Sequence, residues 1–147
     1  MIIISAPVSG LGTINPLGNN TEQFWNNSIA GKSGIRRIDK FDVSKITSRI
    51  AGIITNFNSE DYFDKRELKR LSTFIIYGLV ATDEAVKDSC LDLEKENLER
   101  IGVITGSGIG GIEEIENQHD VLRDKGIDRI SPFFIIKMIT DMMPGKV

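Results

Sequence analysis

Apolar positions change their period along the chain, and each change marks an element. Ile2, Ile3, Ile4 and Val8 open it with a β-branched run that reads as a buried strand over 2–8. Pro7 removes one ladder donor, which puts that end at a sheet margin or a bulge. The turn Ser9-Gly10-Leu11-Gly12 and the loop Asn15-Pro16-Leu17-Gly18 follow. Asn20 with Gln23 makes a capping-box start for a short helix carrying Phe24, Trp25 and Ile29, and Gly31 stops it. Trp25 reads as core or as a domain contact. Residues 35–60 break into turn signals and short apolar pieces such as Arg49-Ile50-Ala51-Gly52-Ile53-Ile54, a loop-rich excursion with one edge strand.

Asp64 with Glu67 caps the longest predicted helix, about residues 65–89. Its Leu68, Leu71, Ile75, Leu79, Thr82 and Val86 step by three and four, giving one buried stripe. Ile101, Val103 and Ile104 then predict a short buried parallel strand, followed by Gly106, Gly108, Gly110 and Gly111. Ile112, Ile115 and Leu122 recur at helical spacing up to Gly126, the predicted C-cap. Strand, glycine turn and helix in succession are where an open α/β sheet binds its ligand. Ser131-Pro132-Phe133-Phe134 opens a last helix through Ile135, Met138, Ile139 and Met142, which Pro144-Gly145 ends.

Composition narrows the class. A chain of 147 residues is one domain's worth, able to bury about two-thirds of its unfolded surface. Its 40% hydrophobic and 27% charged residues exclude a disordered or membrane-embedded chain. A net charge of −3 argues against a general nucleic-acid binder, leaving room only for a local basic patch. The single cysteine makes no internal disulfide and suits a reducing cytosol. The N-terminal apolar run is short and has no basic lead, so it reads as strand rather than signal peptide, and no other run reaches membrane-spanning length.

Candidate chemistry centres on two stretches. Gly106-Ser107-Gly108-Ile109-Gly110-Gly111 matches G-x-G-x-x-G, in which glycines let a pyrophosphate approach a helix N-terminus. Against a dinucleotide stand the bulky Ile109 in the turn and the lack of a following strand with an acidic end. The other reading is that these glycines allow close packing of helix on strand. The second stretch is basic: Lys65, Arg66, Lys69 and Arg70 open the long predicted helix, where cations oppose the macrodipole. They form either a solvated face or a surface for an anion or an acidic partner. Cys90 reads as a small residue packed near a helix end, since no cationic neighbour would make it a thiolate. His119 shares the face of Ile112, Ile115 and Leu122 and reads as hydrogen-bonded and half-buried. One His and one Cys make no metal site. Gly31-Lys32-Ser33-Gly34 is too short for a P-loop.

In sequence order, PLGN, AGKSGI, FD, RIAG, DYFDKRELKRLSTFIIYG, RIGVITGSGIGG and SPFF closely resemble the N-terminal part of β-ketoacyl-acyl carrier protein synthase II, a condensing-enzyme family with the thiolase fold. The resemblance runs from about Val8 to Val147. It implies an α/β chain holding the N-terminal portion of the layered αβαβα thiolase fold, a single domain over 1–147 that is incomplete here. It also implies an acyltransferase of fatty-acid synthesis in the cytoplasm, without metal or organic cofactor. An acyl group passes from its carrier to a cysteine, and a malonyl-carrier loses CO₂ to give the attacking carbanion. The family's cysteine and two histidines fall after Val147, so neither Cys90 nor His119 inherits a role, and the isolated chain is expected to be inactive.

Two sites carry over from the resemblance. Ile109 and Phe134 match acyl-pocket positions, which gives a bulky residue in a glycine turn a purpose. Arg66, Lys69 and Arg70 match the surface that docks the acyl carrier protein, whose acidity suits cations. The implied partners are acyl- and malonyl-loaded carrier protein, with a homodimer of the complete enzyme or a complementing C-terminal polypeptide; nucleic acid and membrane are not among them. A carrier-binding or scaffold fragment without chemistry is the alternative. The sequence departs from the family at Ala6-Pro7, at Ile136 for a proline, at Asp141 for an asparagine and at Pro144 for a small residue.

Overall fold

The computed structural model describes residues 8–147, so all of the predicted first strand except Val8 lies outside the described residues. The chain divides into two compact units, one running to Phe57 and including Val80–Asp92, the other formed by Asn58–Leu79 and Leu93–Val147.

In the first unit, Asn15 and Gly18 exchange backbone hydrogen bonds of 3.0 and 3.1 Å across Pro16-Leu17. Helix α1, Thr21–Ile29, starts as its capping residues dictate: the Asn20 side chain accepts from the Gln23 N–H at 2.8 Å. The Gln23 side chain accepts in turn from the Asn19 N–H at 3.1 Å. Strands β1, Ile35–Arg37, and β2, Ile50–Gly52, form an antiparallel pair with Arg36 opposite Ala51. β2 is the predicted edge strand.

Helix α3, Thr73–Asp88, gives its C-terminal part to this unit. There Glu84 accepts from the N–H groups of Thr13 and Thr21 at 2.8 and 2.7 Å, and Asp88 from that of Leu11 at 2.9 Å. These charge-assisted bonds hold the 10–13 segment and the start of α1 onto the helix. Glycine at position 12 is needed for that approach, because a Cβ would collide with the Ala81 carbonyl.

The second unit contains α2, Lys65–Leu68, the start of α3, α4, Ile112–Lys125, and α5, Phe134–Met138. The predicted capping box is present: Asp64 accepts from the N–H groups of Arg66 and Glu67, and Glu67 from that of Asp64. The single helix predicted over 65–89 is not. α2 closes after one turn through i→i−3 bonds from the N–H groups of Arg70 and Leu71, and α3 restarts with Ile76 N–H donating to the Ser72 carbonyl. Ser72, an N-cap residue type, is the signal for that restart. Of the predicted stripe, Leu71 and Ile75 are buried and Leu68, Leu79, Thr82 and Val86 half-buried, while Ile76 and Val80, outside that stripe, are buried. Gly126 caps α4 as predicted, at φ 84°. The last helix is shorter than predicted, giving way after Met138 to 3₁₀ turns at Thr140–Met142 and Pro144–Lys146.

Other expectations are overturned. Residues 101–104 form no strand; Ile104 is 99% exposed, and β1–β2 is the one sheet among the described residues. A parallel strand exists only by pairing, and no described strand lies beside this one. Trp25 is exposed, which removes the core half of its reading and leaves the domain contact. The apolar side of α4 is likewise uncovered, so His119 is exposed with it. Cys90 is exposed at φ 56°, not packed. No helix among the described residues is long and apolar enough to cross a membrane.

The Ser72 hydroxyl is buried and has no hydrogen-bond partner among the described residues. A capping serine replaced by alanine loses about 1 kcal/mol, but a buried unpaired hydroxyl is itself a cost of about 1–3 kcal/mol. Ser72→Ala is therefore expected to leave the denaturant midpoint unchanged or raise it. A fall equivalent to about 1 kcal/mol would show that the hydroxyl caps the helix after all.

Candidate functional site

The glycine loop is shaped by its contact with α5. Gly110 has φ 75°, and its N–H donates to the Ser107 hydroxyl at 3.0 Å. The next N–H, of Gly111, donates to the Met138 carbonyl at 2.9 Å. A Cβ on Gly110 would lie 2.5 Å from that carbonyl, and one on Gly111 would strike the Lys137 carbonyl. These two glycines thus permit backbone contact between the loop and the end of α5. Gly106 and Gly108 face open space.

The contact leaves little for a phosphate. The N–H groups of Gly110, Gly111 and Ile112 are all used within the chain, the last by the Gly110 carbonyl at 3.1 Å. Glu113 and Glu114 occupy the first turn of α4, where they would repel an anion. The dinucleotide reading of GSGIGG therefore has no geometric support, and the close packing at Gly110 and Gly111 is of the loop on the end of α5 rather than of helix on strand as expected.

Ile109 projects from this loop 61% exposed, and Phe134 begins α5 half-buried, one helical turn before Met138. The two predicted pocket residues thus stand on adjoining elements. Behind them, Lys137 pairs with Glu114 with both side chains largely buried, which ties α5 to α4. Glu113 accepts from the Thr73 hydroxyl at 3.1 Å. Burial, and secondarily the Glu113 carboxylate, push the Tyr77 phenol above its ordinary pKa.

Arg66, Lys69 and Arg70 are all exposed. Arg66 is the second residue of the one-turn α2, its N–H donating to the Asp64 cap, while Lys69 is the C-cap and Arg70 follows it, so the three do not open a long helix as predicted. No carboxylate pairs with any of the three among the described residues. The Arg70 guanidinium instead lies over the Phe133 ring, 5.3 Å from its centroid. Residue spacing gave no signal for that contact, nor for Glu114–Lys137.

Elsewhere the described residues hold no group of three or more His, Cys, Asp or Glu placed to take a metal. An open hollow of about 390 Å³ between segment 9–12 and the last turns of α3 contains none of the predicted site residues.

Comparison with known proteins gives these sites a setting. The family model described as "Beta-ketoacyl synthase, N-terminal domain" matches residues 7–147. A 3-oxoacyl-[acyl-carrier-protein] synthase 2 of Staphylococcus aureus (strain MRSA252) is 43% identical over 98% of this chain. The protein of the same name from Vibrio cholerae is 41% identical over 95% of it. The chain spans only 35% and 34% of those two relatives. Among solved structures, a type II PKS ketosynthase in complex with its acyl-carrier protein superposes with a TM-score of 0.76 at 26% identity, over 95% of this chain and 36% of that one. A β-ketoacyl synthase from Burkholderia phymatum reaches a TM-score of 0.75 at 19% identity, over 95% of this chain and 35% of that one, a likeness of fold. The fold is accordingly a partial thiolase-like one, its N-terminal portion. On the match over residues 7–147, the chain belongs to the β-ketoacyl synthase family.

Proposed function

We propose that this chain supplies the carrier-docking surface and part of the acyl pocket of a β-ketoacyl-[acyl carrier protein] synthase, the acyltransferase that elongates fatty acids by decarboxylative Claisen condensation. The observation that carries this reading is the cluster Arg66, Lys69 and Arg70, exposed and paired with no carboxylate among the described residues, at the position where the resemblance puts carrier docking. Acyl- and malonyl-loaded carrier proteins are the partners, and the cytosol is the setting. The family's nucleophilic cysteine and two histidines have no counterpart among these 147 residues, so no catalytic residue is assigned here.

The remainder of the catalytic unit, in the same longer protein or in a second polypeptide, is proposed to cover the 101–104 stretch. Ile101 and Val103 are each 42% exposed, and Ile104 is exposed almost fully. Burying such side chains against partner strands contributes about 25 cal/mol per Å² of apolar surface. A homodimer of the completed enzyme follows from the same reading, with these residues as the N-terminal portion of one domain. The competing reading, a carrier-binding fragment without chemistry, is favoured by the same cations and lacks a use for Ile109 and Phe134.

The pocket assignment has its own test. With Phe134 against the acyl chain, Phe134→Ala in a reconstituted enzyme is expected to move the product distribution to longer chains, because the space opened accepts further methylenes, each worth about 0.8 kcal/mol on burial. An unchanged distribution at unchanged protein stability would remove Phe134 from the pocket.

A further inference from the structure

We infer that Phe133 is a positioning residue of the carrier-docking surface: its ring holds the Arg70 guanidinium in place for an acidic partner, an inference that rests on the docking reading above. Arg70 lies in the turn after α2, its backbone fixed by a 2.8 Å bond from its N–H to the Glu67 carbonyl. Its side chain is exposed and meets no carboxylate among the described residues. At 5.3 Å from the ring centroid, the guanidinium is within the roughly 6 Å at which a cation is attracted to an aromatic face.

The ring comes from a well-held position. Phe133 stands at the N-cap of α5, its N–H donating to the Ser131 hydroxyl at 3.2 Å and its carbonyl accepting from the Lys137 N–H at 3.1 Å. Stacking occupies only the flat face of a guanidinium. The edge N–H groups stay free to grip a carboxylate or phosphate in bidentate fashion. A free arginine gives up much rotamer freedom when it forms such a pair, and one already seated on a ring has less to lose. Lys69, beside it, has no such seat and acts as a mobile charge.

The arrangement also joins two sites that residue spacing kept apart. Phe133 is the immediate neighbour of Phe134, so the ring that seats the proposed docking cation and the proposed pocket residue stand side by side at the head of α5. A carrier gripping Arg70 therefore bears on the element that lines the acyl chain.

The test is binding of holo-acyl carrier protein to the 147-residue chain at low salt, with far-UV helicity followed alongside. Phe133→Leu is expected to weaken binding about threefold, the worth of an exposed cation–π contact, and Phe133→Tyr to retain it. In an Arg70→Met background, Phe133→Leu should cost nothing more. Unchanged affinity in Phe133→Leu, or the same loss with and without Arg70, overturns the inference and leaves docking intact, provided that reversing Arg66, Lys69 and Arg70 together still weakens binding. If that triple reversal has no effect either, or the native chain fails to bind the carrier, the docking reading falls as well.

Discussion

Replacing Arg66, Lys69 and Arg70 together with glutamate is expected to weaken carrier binding more than about tenfold, mainly through the on-rate. The three cations fall within five consecutive residues, closer together than the Debye length of roughly 8–10 Å, so their fields add. Exposed pairs contribute only about 0–1 kcal/mol each, so single replacements should have small effects. The salt dependence of binding should flatten with the affinity, since steering by charge is what the reversal removes.

The control matters because of where the residues lie. Glutamates at the C-cap position 69 and at 70 oppose the dipole of the last turn, which the native cations suit, at a cost of about 0.3–1 kcal/mol each, whereas one at 66 lies in the first turn, where it suits the dipole. Helix α3 begins afresh at Thr73 and keeps its own hydrogen bonds. Far-UV helicity should thus fall little, and a triple glutamine variant, which avoids the dipole conflict, should still lose most of the affinity. Intact helicity with unchanged affinity in both variants would make the cluster a solvated face.

Local capping was the most legible feature of the chain. Asn20, Asp64 and Gly126 end their helices where their side chains or lack of one dictate, because those signals act through bonds within three or four residues. The helix break at 69–72 was hidden by periodicity, since Leu68, Leu71 and Ile75 keep helical spacing across it. Only Ser72 marked the restart. The stretch 101–104 shows the opposite failure. Its residues suit a buried strand, but a strand needs neighbours, and pairing is a property of the sheet rather than of the segment.

The core reading of Trp25, the half-buried reading of His119 and the buried reading of the apolar side of α4 failed for the same reason, as faces without a covering element among the described residues. At the sites, the pocket and docking assignments rest on the family resemblance and stand as proposals. Arg70 on Phe133 and Lys137 with Glu114 join residues distant in sequence, and only the folded chain brings them together.

The second large effect expected is an all-or-none one, in condensation itself. On the proposed reading, the nucleophile and the histidines that stabilise the enolate belong to the part of the family fold outside these residues, whereas the proposed docking cations and the proposed pocket residues Ile109 and Phe134 lie within them. The exposed Ile101, Val103 and Ile104 give the two parts apolar surface to share. The most direct measurement is therefore ketoacyl product formed from acyl- and malonyl-loaded carrier protein by this chain, by a polypeptide carrying the remaining two-thirds of a relative, and by the two together. Product from the pair and none from either alone is the expected result, with Cys90→Ala as active as the native chain in the pair. A pair that assembles but yields no product would contradict the proposed function, as would product from this chain alone that Cys90→Ala abolishes.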